Sequence, residues 1–138
     1  MRFYAALLAL LFVSCGKLAE ITAPDDGGPL DPTATFTRVQ SEVFTPNCTV
    51  VGCHDSLGRQ AGLVLVPGTS YAQLVNQPST QISSLSRVTP RNFGDSYLYR
   101  KIAGVGITGE RMPSGGPYLT DAQASLVREW IRRGAPND

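Results

Sequence analysis

Cys48 and Cys53 have four residues between them, and the chain's only histidine, His54, follows directly. Of everything in this 138-residue chain, that stretch restricts the fold most. The arrangement suits covalent attachment of a haem, with the thiols adding to the two vinyl groups and the imidazole reaching the iron from one face. The usual pattern is C-x-x-C-H. Here Thr49-Val50-Val51-Gly52 make a longer loop that can still span a porphyrin edge.

Apart from Met1, the chain has one methionine, Met112, in Gly109-Glu110-Arg111-Met112-Pro113-Ser114-Gly115-Gly116. A lone methionine is usually core filler, but this one lies in a polar, glycine-rich run rather than on an apolar periodic face. A thioether is a soft, neutral ligand that raises an iron potential when paired with histidine. One histidine and one internal methionine make a complete axial pair.

The third cysteine has a separate explanation. Arg2 is followed by an uncharged apolar run, Phe3 to Val13, too short to span a bilayer and built like an export signal. It ends in Phe12-Val13-Ser14-Cys15-Gly16, which resembles a bacterial lipobox, with Cys15 as the lipidated first residue. The plainer alternative is an ordinary signal with a stray cysteine. Residues 1–14 are therefore read as a signal peptide, 15–34 as a lipidated N-terminus and flexible tether, and 35–138 as the folded domain. Pro24, Gly27, Gly28, Pro29 and Pro32 give the tether too little apolar surface to fold. Losing Arg2 with the signal brings the basic residues from 12 to parity with the 11 acidic ones. Such a balance predicts neither nucleic-acid binding nor a polybasic membrane patch, so contact with a membrane would be through the lipid alone.

Within the domain, Phe36, Val39, Val43 and Phe44 fall at helical spacing, with Thr35 or Thr37 as N-cap and Pro46 ending the helix ahead of Cys48. Leu63-Val64-Leu65-Val66 suits either a buried strand or an extended pocket wall. Thr69 is placed as the cap of a short helix from Ser70 to Val75, with Tyr71, Leu74 and Val75 on one side. Gln77 to Ser84 is read as loop. Asp95 is placed as the cap of a helix from Ser96 to Ala103, with Tyr97, Leu98, Ile102 and the stem of Lys101 inward and Gly104 as its stop. Thr120-Asp121-Ala122-Gln123 has the form of a capping box, Leu119 and Ala124 that of a hydrophobic staple. Leu126, Val127, Trp130 and Ile131 make the apolar stripe of the last helix, and Gly134 its left-handed cap. Trp130 suits core packing at least as well as contact with a cofactor.

Val39 to Phe44 leading into Asn47-Cys48 and Gly52-Cys53-His54, then Asp95 to Ile102, Arg111-Met112-Pro113, and Leu119-Thr120-Asp121 opening a helix that ends Trp130-Ile131-Arg132-Arg133-Gly134-Ala135, resemble the class I cytochrome c superfamily. The likeness is closer to its planctomycete-type and related bacterial haem-domain lipoproteins. It implies an all-α fold, a small cytochrome c-like domain of three to four helices around one haem, with long loops. It also implies that Cys48 and Cys53 carry one covalent haem c by thioethers, with His54 and Met112 as the axial ligands of the iron.

The expected function is one-electron transfer outside the cytoplasm by a lipid-anchored monohaem cytochrome, with a redox protein as partner. The lipid would sit in the outer membrane, facing the periplasm or the cell surface. Two rivals stand beside it. One is a cofactor-free structural lipoprotein closed by a Cys48–Cys53 disulfide, since paired thiols oxidise in an exported protein. The other is a haem peroxidase or gas sensor with a dissociable Met112, which lacks a second histidine for acid–base work. Zinc suits the motif poorly, because two thiols and one imidazole fall short of four ligands. Pro67 could offer its carbonyl to the free ring nitrogen of His54. Arg100, Lys101, Arg111, Tyr97 and Tyr118 could meet haem propionates.

Overall fold

A computed structural model describes residues 27–138; the segment read as a signal peptide, Cys15 and most of the segment read as a tether lie outside them. Helices and long loops make up the described residues, without a strand, so the all-α expectation holds at that level. No described helix is long and apolar enough to cross a membrane.

The first helix runs over residues 36–47 as three contiguous pieces, Phe36–Arg38, Val39–Phe44 and Thr45–Asn47. Thr35 caps it, its hydroxyl accepting the Arg38 amide at 3.2 Å. The middle piece is π-helical, and the Thr45 amide reaches back to the Gln40 carbonyl. Pro46 was expected to end the helix but sits inside its last piece. A proline lacks the N–H that an α-helix would aim at the carbonyl four residues back, here that of Glu42. The Gln123 side chain supplies that donor instead, Nε2 lying 3.0 Å from the Glu42 oxygen. The missing bond thus becomes a tie between the first helix and the last.

The last helix, Asp121–Arg132, follows its sequence signals closely. Thr120 and Gln123 form the reciprocal capping box. Gly134 takes φ +101°, its amide bonding the Ile131 carbonyl while the Ala135 amide bonds that of Trp130. These are the two bonds of a Schellman ending. Leu126, Val127, Trp130 and Ile131 are buried, and they pack against Val39, Val43 and Phe44 of the first helix. Trp130 is fully buried and its indole N–H donates to the Pro136 carbonyl at 2.9 Å. Phe36 stands 5.3 Å from the Trp130 ring and 5.1 Å from that of Tyr71. Each such buried large side chain contributes about 1.5–3 kcal/mol.

Two shorter helices depart from expectation at their ends. Ser70–Leu74 starts after Thr69, whose side chain makes no cap, and Val75 is already extended. Tyr97–Ala103 has Ser96 rather than Asp95 at its N-cap position. Asp95 pairs with Arg100 at 2.9 Å instead, while the buried Ser96 hydroxyl ties down the preceding loop through Asn92 and Thr89. Gly104 ends this helix in the left-handed conformation, as expected. Leu63 to Val66 forms no strand, although Val64 and Leu65 are buried.

The folded unit begins before residue 35. Ala34 is fully buried, its carbonyl accepts from Arg133 at 2.7 Å, and that of Gly28 accepts from Arg132 at 2.9 Å. The far end of the segment read as a tether is therefore held against the last helix. Asp138 closes the other side, accepting the Phe36 amide on its carboxylate and pairing with Arg133.

Candidate functional site

The first helix delivers the cysteine loop directly. Cys48 follows Asn47 as C-cap, and the amides of both Cys48 and Thr49 bond the Phe44 carbonyl, at 2.8 and 3.1 Å. Widening from α to π spacing is common where a helix serves a site, and here it sets the angle at which the chain leaves. The loop then closes on itself, with the His54 amide donating to the Cys48 carbonyl at 3.1 Å and the Cys53 amide to Val50 at 2.9 Å. Gly58 seals the turn that follows. Its amide donates to Asp55 Oδ1 at 2.6 Å, and its α-carbon lies so near the backbone of Gly52 and Cys53 that no side chain would fit.

His54 is fixed from two directions. Its backbone carbonyl accepts the Leu65 amide at 2.8 Å, and the Leu65 carbonyl in turn accepts Nε2 of the buried Gln40 at 2.9 Å. The first helix therefore positions the histidine through one intermediate residue. The ring itself places Nδ1 3.2 Å from the Leu63 carbonyl. That contact favours the tautomer with its proton on Nδ1, leaving the lone pair on Nε2. Leu63, not Pro67, is thus the carbonyl that meets the imidazole. It gets there because the backbone turns sharply through left-handed φ at Arg59, Ala61 and Gly62.

Cys48, His54 and Met112, far apart in sequence, line one cleft with Phe44, Leu63, Leu65, Leu74, Leu98, Ile102 and Leu119. Its empty space is about 940 Å³, open solvent at the mouth included. Met112 is brought there by its backbone, whose amide donates to the Lys101 carbonyl at 2.9 Å. Cys53 is exposed and lies outside the lining; both it and Cys48 are free thiols. Among the described residues, no three of His, Cys, Asp and Glu come together as they would around a metal ion.

Burial governs the electrostatics. It pushes the Cys48 thiol up to about 12, with the nearby Cys53 adding to the rise. The same cause lowers His54, despite opposing help from the Leu63 and Gln60 backbone, and the charges of Arg87 and Lys101 lower it further. Burial thus favours the neutral imidazole, the form a metal ligand takes. Lys101 is only 8% exposed, and its ammonium donates to the carbonyls of Thr108 at 3.0 Å and Glu110 at 2.6 Å. No aspartate or glutamate lines the cleft among the described residues.

Of the five residues expected near propionates, Tyr97 and Lys101 line the cleft. Arg100 is occupied by Asp95 and the Gly94 carbonyl, and Arg111 bonds the Ile102 carbonyl and stacks on Tyr118 at 4.3 Å. Trp130 belongs to the core and not to the cleft. Sequence reasoning offered Leu63 as pocket wall but missed its carbonyl's part in holding His54, and it missed Arg87 and the Ser79-Thr80-Gln81 rim. No periodicity or motif marks them, since each acts by where a loop returns.

No family model, curated protein or solved structure matches this chain.

Proposed function

We propose that the chain is a monohaem c-type cytochrome, exported, lipid-anchored through Cys15 at the outer membrane, and passing single electrons to a redox partner protein. The observation that carries the reading is the meeting of Cys48, His54 and Met112 on one largely apolar cleft. The donor set suits haem c: one thiol on the wall with a second five residues on, a neutral imidazole, and a thioether. Cys48 and Cys53 would hold the haem, with His54 and Met112 as its axial ligands. When bound, the haem supplies a ferric–ferrous couple.

The chain's own contribution is positioning and exclusion of water. Leu63 holds the imidazole, Lys101 holds the methionine loop, and the leucines and Ile102 keep the cleft apolar. Neutral methionine and apolar surroundings both favour the less charged ferrous state, which raises the potential. If His54 and Met112 both held the iron, they would leave it no position for a substrate, which favours a carrier over a peroxidase or sensor.

The test is a denaturing-gel haem stain of protein expressed with a cytochrome c maturation system, beside a Cys48→Ala, Cys53→Ala double variant. Stain in the wild type that is lost in the variant is the expected result. No stain in either, with Cys48 and Cys53 found oxidised together, would replace this reading with the disulfide-closed lipoprotein.

A further inference from the structure

Arg87 reaches the cleft from the returning limb of a loop. Its amide bonds the Gln77 carbonyl at 2.6 Å, and Pro78 and Ser86 pair across the loop in an isolated antiparallel bridge. Its guanidinium is held by two carbonyls, Nη1 to Gln73 at 3.0 Å and Nη2 to Ala61 at 3.4 Å. The Thr80 hydroxyl donates to the same Ala61 carbonyl at 3.2 Å, so arginine and threonine stand side by side at the rim. A guanidinium has five N–H donors, and two carbonyls leave most of them free.

No carboxylate pairs with Arg87 among the described residues, whereas Arg38, Arg100 and Arg133 each have one. Burial works against its charge, lowering its pKa. A half-buried cation beside an acid-free cleft is costly unless the occupant brings the counter-charge. Lys101 also lines the cleft, but its ammonium is already engaged by two carbonyls. Arginine in a fixed orientation is the better match, because its planar fork meets a carboxylate with two parallel bonds.

We infer that Arg87 is the seat for a carboxylate of the molecule held in the cleft, which makes this wall selective for a flat apolar ligand carrying acid groups. The inference rests on the haem reading, in which that acid group is a haem propionate. It moves the recognition role from Arg100 and Arg111 to Arg87.

The test uses the mature haem protein and its Arg87→Gln and Arg87→Lys variants. Reduction potential is followed against pH, and haem attachment is checked first by mass. The wild type should hold a constant potential through neutral and mildly acidic pH, because Arg87 keeps the carboxylate ionised. In Arg87→Gln the carboxylate takes up a proton at higher pH, so the potential should fall as pH rises through that step; Arg87→Lys should restore most of the flat profile. A second readout needs no variant: carbodiimide coupling of an amine to wild-type protein should leave one haem carboxylate unmodified, as read by mass. Superimposable potential profiles in folded variants, or full coupling in the wild type, would overturn the seat while leaving the cytochrome intact. Absence of the haem mass at the outset would remove the haem reading and the seat together.

Discussion

The carbonyl of Lys101 accepts the amide of Met112 at 2.9 Å, while the ammonium of the same lysine donates to Thr108 and Glu110 in the loop between them. The residue that opens the segment thus grips its far end, across Gly104, Gly106 and Gly109, all at positive φ. Without the grip such a segment would sample many conformations. The buried charge has no carboxylate partner among the described residues, and carbonyl dipoles take that place.

Lys101→Met keeps the stem and removes the ammonium, leaving two carbonyls without their donor. A hydrogen bond to a charged group contributes about 1.5–3 kcal/mol, and the expected loss is of that size. Urea denaturation measures it. Peroxide oxidation of Met112, followed by mass, should also speed up several-fold; unchanged oxidation at lowered stability would mean that the lysine does not position Met112.

Gly58→Ala should destabilise the cysteine loop by about 1–3 kcal/mol, as overpacking does. A β-carbon there would meet Asp55 Oδ1 at 2.6 Å and the Cys53 carbonyl at 2.7 Å, besides the Gly52 backbone. Gly52→Ala is the comparison: at φ +84° it is strained, yet its β-carbon meets nothing within 4 Å. Equal losses from the two, by chemical denaturation, would show that backbone conformation and not contact governs this turn.

In protein made without haem, brief alkylation should label Cys53 well ahead of Cys48. The thiolate is the reactive form, and Cys48 is half-buried with its thiol pushed up to about 12, whereas Cys53 is exposed. Peptide mass mapping reads the ratio. Failure of both to react, with a two-hydrogen mass deficit, would point to a disulfide.

Acid should loosen the contact between the two ends of the domain. Burial raises the Asp138 carboxyl, but the Phe36 amide and the Arg133 guanidinium outweigh it and hold the group below its usual 3.8. Because the folded value is the lower one, its stabilisation is present above pH 3.8 and lost as pH falls through the folded value. Asp138→Asn should flatten that part of the stability–pH profile, measured by thermal melts across the acid range.

The last helix was legible almost residue for residue. Capping box, apolar stripe and glycine stop all depend on neighbours within one or two turns, and such short-range bonds leave marks in the order of residues. Thr35 and Gly104 were legible for the same reason. Asp95 misled because Arg100, one turn further on, competes for its carboxylate, and Ser96 takes the cap position. Pro46 misled because the donor that replaces its missing N–H comes from Gln123, far along the chain.

Residue order alone carried the candidate ligands, since one histidine, one internal methionine and a close cysteine pair leave little choice of chemistry. It also carried the helical nature of the chain, because periodicity and caps are local. Their meeting on one cleft was decided by tertiary structure: the crossing of first and last helices, the bond from Gln40 to Leu65 that places His54, and the lysine that draws in Met112. Leu63 and Arg87 entered the same way, through loops whose return depends on left-handed turns and long-range bonds. A backbone carbonyl has no letter of its own in a sequence, and an unpaired arginine looks like a paired one until the fold shows what stands beside it.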